Sequence, residues 1–149
     1  MSIGEYCNRD VVIVNKTESV QEAISLMRSE HVGAVVVVDQ INDAIIPVGM
    51  LTDRDIVVEV LAENIDLQSV NISDVMSFDL LVLPESIDLM DAIKRMRSKG
   101  VRRTPIVNDG GALVGIISVD DLLDLLAEQM IDLAKLISKE QILEQEKTV

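Results

Sequence analysis

The chain has 149 residues, 48% of them apolar and nearly all of those aliphatic or methionine, with 26 acidic against 13 basic residues and a formal charge of −13. That length suits one ordinary domain or two small units sharing a core, and the charge repels polyanions, which argues against nucleic acid and anionic membranes as partners. A single cysteine, Cys7, excludes an intramolecular disulfide and a cysteine-based structural zinc site; with polar residues from Glu5 to Asp10 and no apolar run near ~20 residues, the expectation is a soluble, cytoplasmic protein.

The first apolar run, Val11-Val-Ile-Val14, is short and β-branched and predicts a strand. Ser19 with Glu22 three positions later marks a helix start, and Val20, Ala23, Ile24 and Met27 follow at helical spacing. His31 falls at the end of that helix, where capping accounts for it better than catalysis. Ala34-Val-Val-Val-Val38 reads as a strand covered on both faces. Residues 40 to 47, ending in Pro47, are expected to form a longer loop. Val48 to Thr52 is the next strand and passes directly into a helix. Residues 64 to 77, polar with scattered aliphatics, read as a crossover.

The same series then recurs. Leu80-Leu-Val-Leu83 predicts a strand, Asp88 with Asp91 opens a helix carrying Leu89, Ala92, Ile93 and Met96, and Thr104 to Val107 and Leu113 to Ser118 predict two strands joined by a turn at Asn108-Asp-Gly-Gly111. Helical spacing continues from Leu122 through Leu125, Leu126, Met130, Leu133, Leu136 and Ile137, with a charged, frayed end from Lys139 to Lys147. Ala23, Ile24, Met27, Arg28, Ser29, Val32 and Val38 recur 69 positions later as Ala92, Ile93, Met96, Arg97, Ser98, Val101 and Val107. Gly49, Thr52 and Asp55 recur at an offset of 66 as Gly115, Ser118 and Asp121, which places a three-residue insertion between Asp39 and Val48. The chain is therefore a tandem repeat of a strand, helix, strand, strand, helix unit. The predicted units are 5–69 and 70–127, followed by a helical extension over 128–149. Each half alone has a marginal core, so the halves are expected to need each other.

Thr52-x-x-Asp55 and Ser118-x-x-Asp121 each join a strand to a helix, and two readings stay open for them. One is a capping box, in which the hydroxyl accepts from the N3 amide and the acid reaches back. The other is a ligand site. The order and duplication of the segments resemble a tandem pair of cystathionine-β-synthase (CBS) domains, a Bateman module. The carriers are Asp74-Val-Met76, Ala23-Ile-x-x-Met27, Ala92-Ile-x-x-Met96, Arg103-Thr-Pro105-Ile-Val, Gly49-Met-Leu-Thr-Asp-Arg-Asp55-Ile and Gly115-Ile-Ile-Ser-Val-Asp-Asp121-Leu. The resemblance spans roughly residues 5 to 127.

It implies an α/β (α+β) fold of two pseudo-twofold related units, each β-α-β-β-α, packed through their sheets. It also implies a regulatory module that binds AMP, ADP, ATP or S-adenosylmethionine in a cleft between the units, with no further cofactor and no chemistry of its own. By match, Asp55 and Asp121 take ribose hydroxyls, and an ionised carboxylate is suited to accept two such donors. Thr52 and Ser118 stand nearby for phosphate or ribose. The adenine slots implied are Asp10, Val12, Ile13 with Gly33, Ala34, Val35, and Asp79, Leu80, Leu81 with Arg103, Thr104, Pro105. Without aromatics to stack on, the base rests on aliphatic packing; Met50 is a further candidate lining residue.

The copies differ in charge. The second has Arg102 and Arg103 where the first has Gly33 and Ala34, and the first has Arg54 where the second has Asp120. The expectation is that the cleft using Ser118 and Asp121 with Arg103, helped by Arg54, favours a phosphorylated ligand. Exposed ion pairs with the acidic excess are the alternative for Arg102 and Arg103. Cys7, with only Arg9 as a basic neighbour, reads as an inert thiol. The resemblance further implies a homodimer and an unidentified regulated protein. The competing function is a structural or partner-docking module with degenerate clefts that acts through its last helix. A nucleotide-hydrolysing enzyme needs a nucleophile and base, a metal cluster or a phosphate loop, and none is recognisable.

Overall fold

The computed structural model describes residues 1–147. The first half contributes β1 (Ile13–Asn15), α1 (Val20–Glu30), β2 (Ala34–Ile41), β3 (Ala44–Thr52) and α2 (Asp53–Ile56), which continues as a π turn over Val57–Leu61. The second contributes a short α3 (Ile72–Val75), then β4 (Leu83–Pro84), α4 (Leu89–Lys99), β5 (Arg103–Val107), β6 (Leu113–Ser118) and α5 (Val119–Lys147). The chain divides into two compact units, Met1–Ile117 and Ser118–Val149. Among the described residues no helix is long and apolar enough to cross a membrane.

The duplication is carried into the strand pairing. Each half forms a three-stranded sheet, β1-β2-β3 or β4-β5-β6. In both, the first pair is parallel and in the same register, Val14 beside Val37 and Leu83 beside Ile106. Helix α1 begins where the capping box predicts: Ser19 Oγ accepts from Glu22 N at 3.2 Å, and Glu22 Oε2 accepts from Ser19 N at 2.9 Å. It stops at His31, whose φ of 55° is left-handed, and Gly100 ends α4 in the same way at φ 74°. Exposed His31 is thus a C-cap in a conformation that glycine adopts at lower cost.

The expected loop over residues 40 to 47 is instead a hairpin. β2 runs on to Ile41 and β3 starts at Ala44, so only Asn42 and Asp43 form the turn, at φ 51° and 65°. Two left-handed residues make a type I′ turn, whose twist matches that of the flanking strands, and Asn and Asp tolerate that region better than other side chains. Pro47 is accommodated because β3 is an edge strand and its register slips between Val37 and Val38. The first strands are also shifted. Val11 and Val12, like Leu80 to Val82, precede the ladder rather than belong to it.

Packed groups on both faces of the first sheet help to hold the larger unit. Val14, Val20, Ala23, Val35, Val37, Leu51, Ile56, Val60, Ile72 and Met76 form a core under the first half's helices. On the opposite face of the same sheet, Val36, Val38 and Met50 pack with Ile13, Leu80, Leu113 and Ile116, which joins sheet to sheet. β2 is covered on both faces, as its continuous apolar run requires.

The leading segments of the two copies are exchanged. Residues 70 to 77 bond to the first half: Val20 N donates to Val70 O, Ile72 N to Glu18 O and Ser77 N to Met50 O, at 3.0 to 3.1 Å. Their repeat counterparts at the N-terminus bond to the second half: Ile3 N donates to Ile87 O, Gly4 N to Glu85 O and Asn8 N to Ile116 O, each at 2.9 Å. This exchange explains the repeated motif glycine. A Cβ on Gly49 would stand 2.7 Å from Ser77 O and 2.8 Å from Met76 Sδ, and one on Gly115 would stand 2.5 Å from Cys7 Sγ. Burial against Gly115 pushes the Cys7 thiol pKa up, an effect that Arg9 opposes.

Gly49→Ala is expected to cost about 1–3 kcal/mol, because backbone rather than a flexible side-chain tip must give way. Gly110→Ala, where the nearest contact is Asn108 Oδ1 at 3.4 Å, is expected to stay within about 0.5 kcal/mol. Urea unfolding of the two variants checks the contrast, and equal midpoints would remove close approach as the reason for the motif glycine.

Candidate functional site

The β3–α2 junction presents Thr52, Asp53, Arg54 and Asp55 in sequence. Thr52 Oγ1 accepts from Asp55 N at 3.1 Å, and Asp55 Oδ2 accepts from Thr52 N at 3.0 Å. The capping box therefore forms. It does not compete with the ligand reading, since a carboxylate has about four acceptor sites and this cap occupies one of them. The cap instead fixes how the Asp55 carboxylate points. Asp53 caps locally, its Oδ1 accepting from Arg54 N at 2.8 Å, and Asp53 N donates to Gly33 O at 2.9 Å.

Across from this junction lie the residues that precede β4 and those that open β5. Thr52, Arg54 and Asp55 share one cavity of about 380 Å³ with Asp79, Leu80, Leu81, Arg102 and Arg103. That volume lies within the range of small-molecule sites. The apolar run before β4 thus stays out of the ladder where Leu80 and Leu81 form a cavity wall. Three arginines collect here in a chain of net charge −13. Among the described residues no ion pair engages Arg54 or Arg103, whereas Lys99 neutralises Asp79. For Arg103, the exposed-ion-pair alternative is not what the structure contains.

The grouping differs from the sequence expectation, which put Arg103 with Ser118 and Asp121. The structure gathers Arg102 and Arg103 around the cavity that holds Thr52, Arg54 and Asp55, so both sources of positive charge meet at the first copy's motif. Ser118 and Asp121 belong to the other compact unit, where they form their own cap. Ser118 N and Oγ donate to Asp121 Oδ2 at 3.0 and 2.9 Å, and Asp121 N donates to Ser118 Oγ at 3.2 Å.

The remaining expected residues do not line this cavity. Thr104 and Pro105 are buried in β5, with the Thr104 hydroxyl donating to Leu81 O. That bond ties the cavity wall to the sheet. Val35 is in the first half's core, Ile13 and Ala34 lie between the sheets, and Val12 O accepts from Val36 N at 3.0 Å. Asp10 is exposed and its backbone N donates to Asn8 Oδ1. Met50 does line the cavity, together with Asp53, Ser77 and Val101. Pattern reading did not single out the last three as lining residues: Ser77 lies at the end of the crossover and Val101 in the turn after α4, and neither side chain marks a site by its type.

A family model described as CBS domain matches twice, at residues 3–62 and 72–128. Among curated relatives, the CBS domain-containing protein YhcV of Bacillus subtilis is 39% identical over 121 residues, covering 81% of this chain and 82% of that protein. Protein MK0525 of Methanopyrus kandleri is 35% identical over 125 residues, covering 84% of this chain, which spans only 62% of that relative's length. Among solved structures, the CBS domain pair of protein MJ0100, in complex with 5-methylthioadenosine and S-adenosyl-L-methionine, superposes with a TM-score of 0.73 at 19% identity, covering 87% of this chain and 98% of that one. The twofold family match, the same sheet order in both halves of the chain and the relatives' similarity over most of its length lead to one assignment: the chain belongs to the CBS domain family and carries two CBS units in tandem.

Proposed function

We propose that this CBS pair is a regulatory module that binds an adenosine-containing ligand in the cavity between Thr52–Asp55 and Arg102–Arg103. The observation that carries the reading is the meeting of a carboxylate from one copy and arginines from both around a single cavity. Asp55 accepts the ribose hydroxyls, Arg54 and Arg103 hold a phosphate, and Met50, Leu80 and Leu81 form the apolar bed for the base. Guanidinium forks match phosphate geometry, so AMP, ADP or ATP is favoured over S-adenosylmethionine. The adenosine compounds bound by the MJ0100 pair support the class of ligand. Because the cavity is lined by both copies, a bound nucleotide bridges them. It shifts the arrangement of the halves to the extent that its affinity differs between arrangements, and that differential is the regulatory signal.

Titration calorimetry with AMP, ATP, S-adenosylmethionine and NAD tests this. The expected result is binding of AMP or ATP, tighter than that of S-adenosylmethionine and weakened by added salt. Silence with all four compounds would favour the docking reading, which the exposed apolar residues of α5 make a distinct second possibility.

A further inference from the structure

Helix α5 presents an apolar surface that the ligand reading does not use. Every residue from Leu126 to Lys147 is exposed, yet the segment remains strongly apolar. Leu123, Leu126, Met130, Leu133 and Ile137 follow one another at alternating steps of three and four, the a and d spacing of a coiled-coil seam, and are 38% to 68% exposed. The seam covers 14 steps, about 21 Å of helix. Charge is kept away from it. Asp124, Glu128, Asp132, Lys135 and Lys139 all fall at outer positions of the heptad, and the flanks hold Ala127, Gln129, Ala134, Leu136, Gln141 and Leu143.

We infer that this seam pairs with the same seam of a second copy, with the two helices antiparallel. A second copy is the fitting occupant because two chains of charge −13 can approach closely only through an uncharged surface, and this one is self-complementary under a twofold axis. The axis lies between Met130 and Leu133. Met130 then packs on Leu133 of the other copy and Leu126 on Ile137, while Ala127 faces Ala134 and allows close approach. The orientation follows from where the seam continues. The next seam position is Glu140, which in a parallel pair meets its own copy in the interface, like charge on like charge. The antiparallel pair places it against Leu123 near the solvent-exposed end.

Sedimentation equilibrium of the full chain, without nucleotide, tests the pairing over a wide dilution series. The expected result is a reversible dimer of twice 16.4 kDa, with Leu133→Glu raising its dissociation constant by at least about tenfold. Because Leu133 is exposed, helicity and the unfolding midpoint of the first unit serve as the folding control. A second measurement reads the orientation: a mixture of Leu126→Cys and Ile137→Cys chains is expected to form the mixed disulfide, and Leu126→Cys alone to form none beyond the parent chain with Cys7. A chain that is monomeric throughout, a dimer indifferent to Leu133→Glu, or efficient self-crosslinking of Leu126→Cys each overturns the inference. Nucleotide binding is measured separately, so failure of one reading leaves the other standing.

Discussion

Ile3→Ala is expected to destabilise the chain by about 2–5 kcal/mol, the usual range for truncating a buried isoleucine, although Ile3 lies at the very start of the sequence. Terminal residues of most domains tolerate change because little holds them. Here the side chain is fully buried, and the flanking backbone bonds to Ile87 and Glu85 of the second half at 2.9 Å. Ile3 occupies the place that Ile72, also fully buried, occupies against the first half. Ile72→Ala should therefore cost a similar amount. Urea unfolding of both variants checks this, and a loss below about 1 kcal/mol for Ile3→Ala would mean that the N-terminal segment is not part of the folded core.

The second large effect concerns Asp55. In Asp55→Asn the side chain keeps an oxygen that can accept from Thr52 N, so the cap survives and stability should change by less than about 1 kcal/mol. The charge that strengthens bonds to ribose hydroxyls is lost. A hydrogen bond to a charged group is worth about 1.5–3 kcal/mol, so affinity for AMP or ATP should fall by about 10- to 150-fold. Asp121→Asn is the matched control at the other motif. Calorimetry on both variants locates the site: an unchanged affinity in Asp55→Asn, or a larger loss in Asp121→Asn, would move the ligand away from the first motif.

Much of the architecture was legible because it rests on local chemistry. Ser19 with Glu22 opens a helix through its own hydrogen bonds, and Asn108 with Gly110 and Gly111 closes a turn the same way, its Oδ1 accepting from Gly110 N and Ala112 N at 3.0 Å. The Asn42-Asp43 turn was misread because Asn-Asp is a weaker turn signal than Asn-Gly, and Pro47 argued against a strand until the register slip of an edge position was known. The strand starts were misplaced because Val11-Val12 and Leu80-Leu81 have the composition of a strand. Their place outside the ladder depends on partners far along the chain. Asp53, Ser77 and Val101 were invisible as cavity residues for the same reason.

The sequence by itself determined the duplication, the family and the recurrence of the hydroxyl and carboxylate three apart, because caps such as Thr52 with Asp55 and Ser118 with Asp121 form through local hydrogen bonds. It also showed that the copies differ in their arginines. Only the tertiary structure showed where those arginines lie, around one cavity beside the first motif. Sheet packing brings Arg102 and Arg103 to the Thr52–Asp55 junction across some 50 positions of chain, and no repeat period encodes that approach. The motif glycine shows the same division. Its recurrence at Gly49 and Gly115 is plain in the sequence, but its cause is the close passage of a backbone segment exchanged from the other copy, which exists only once both halves are folded together.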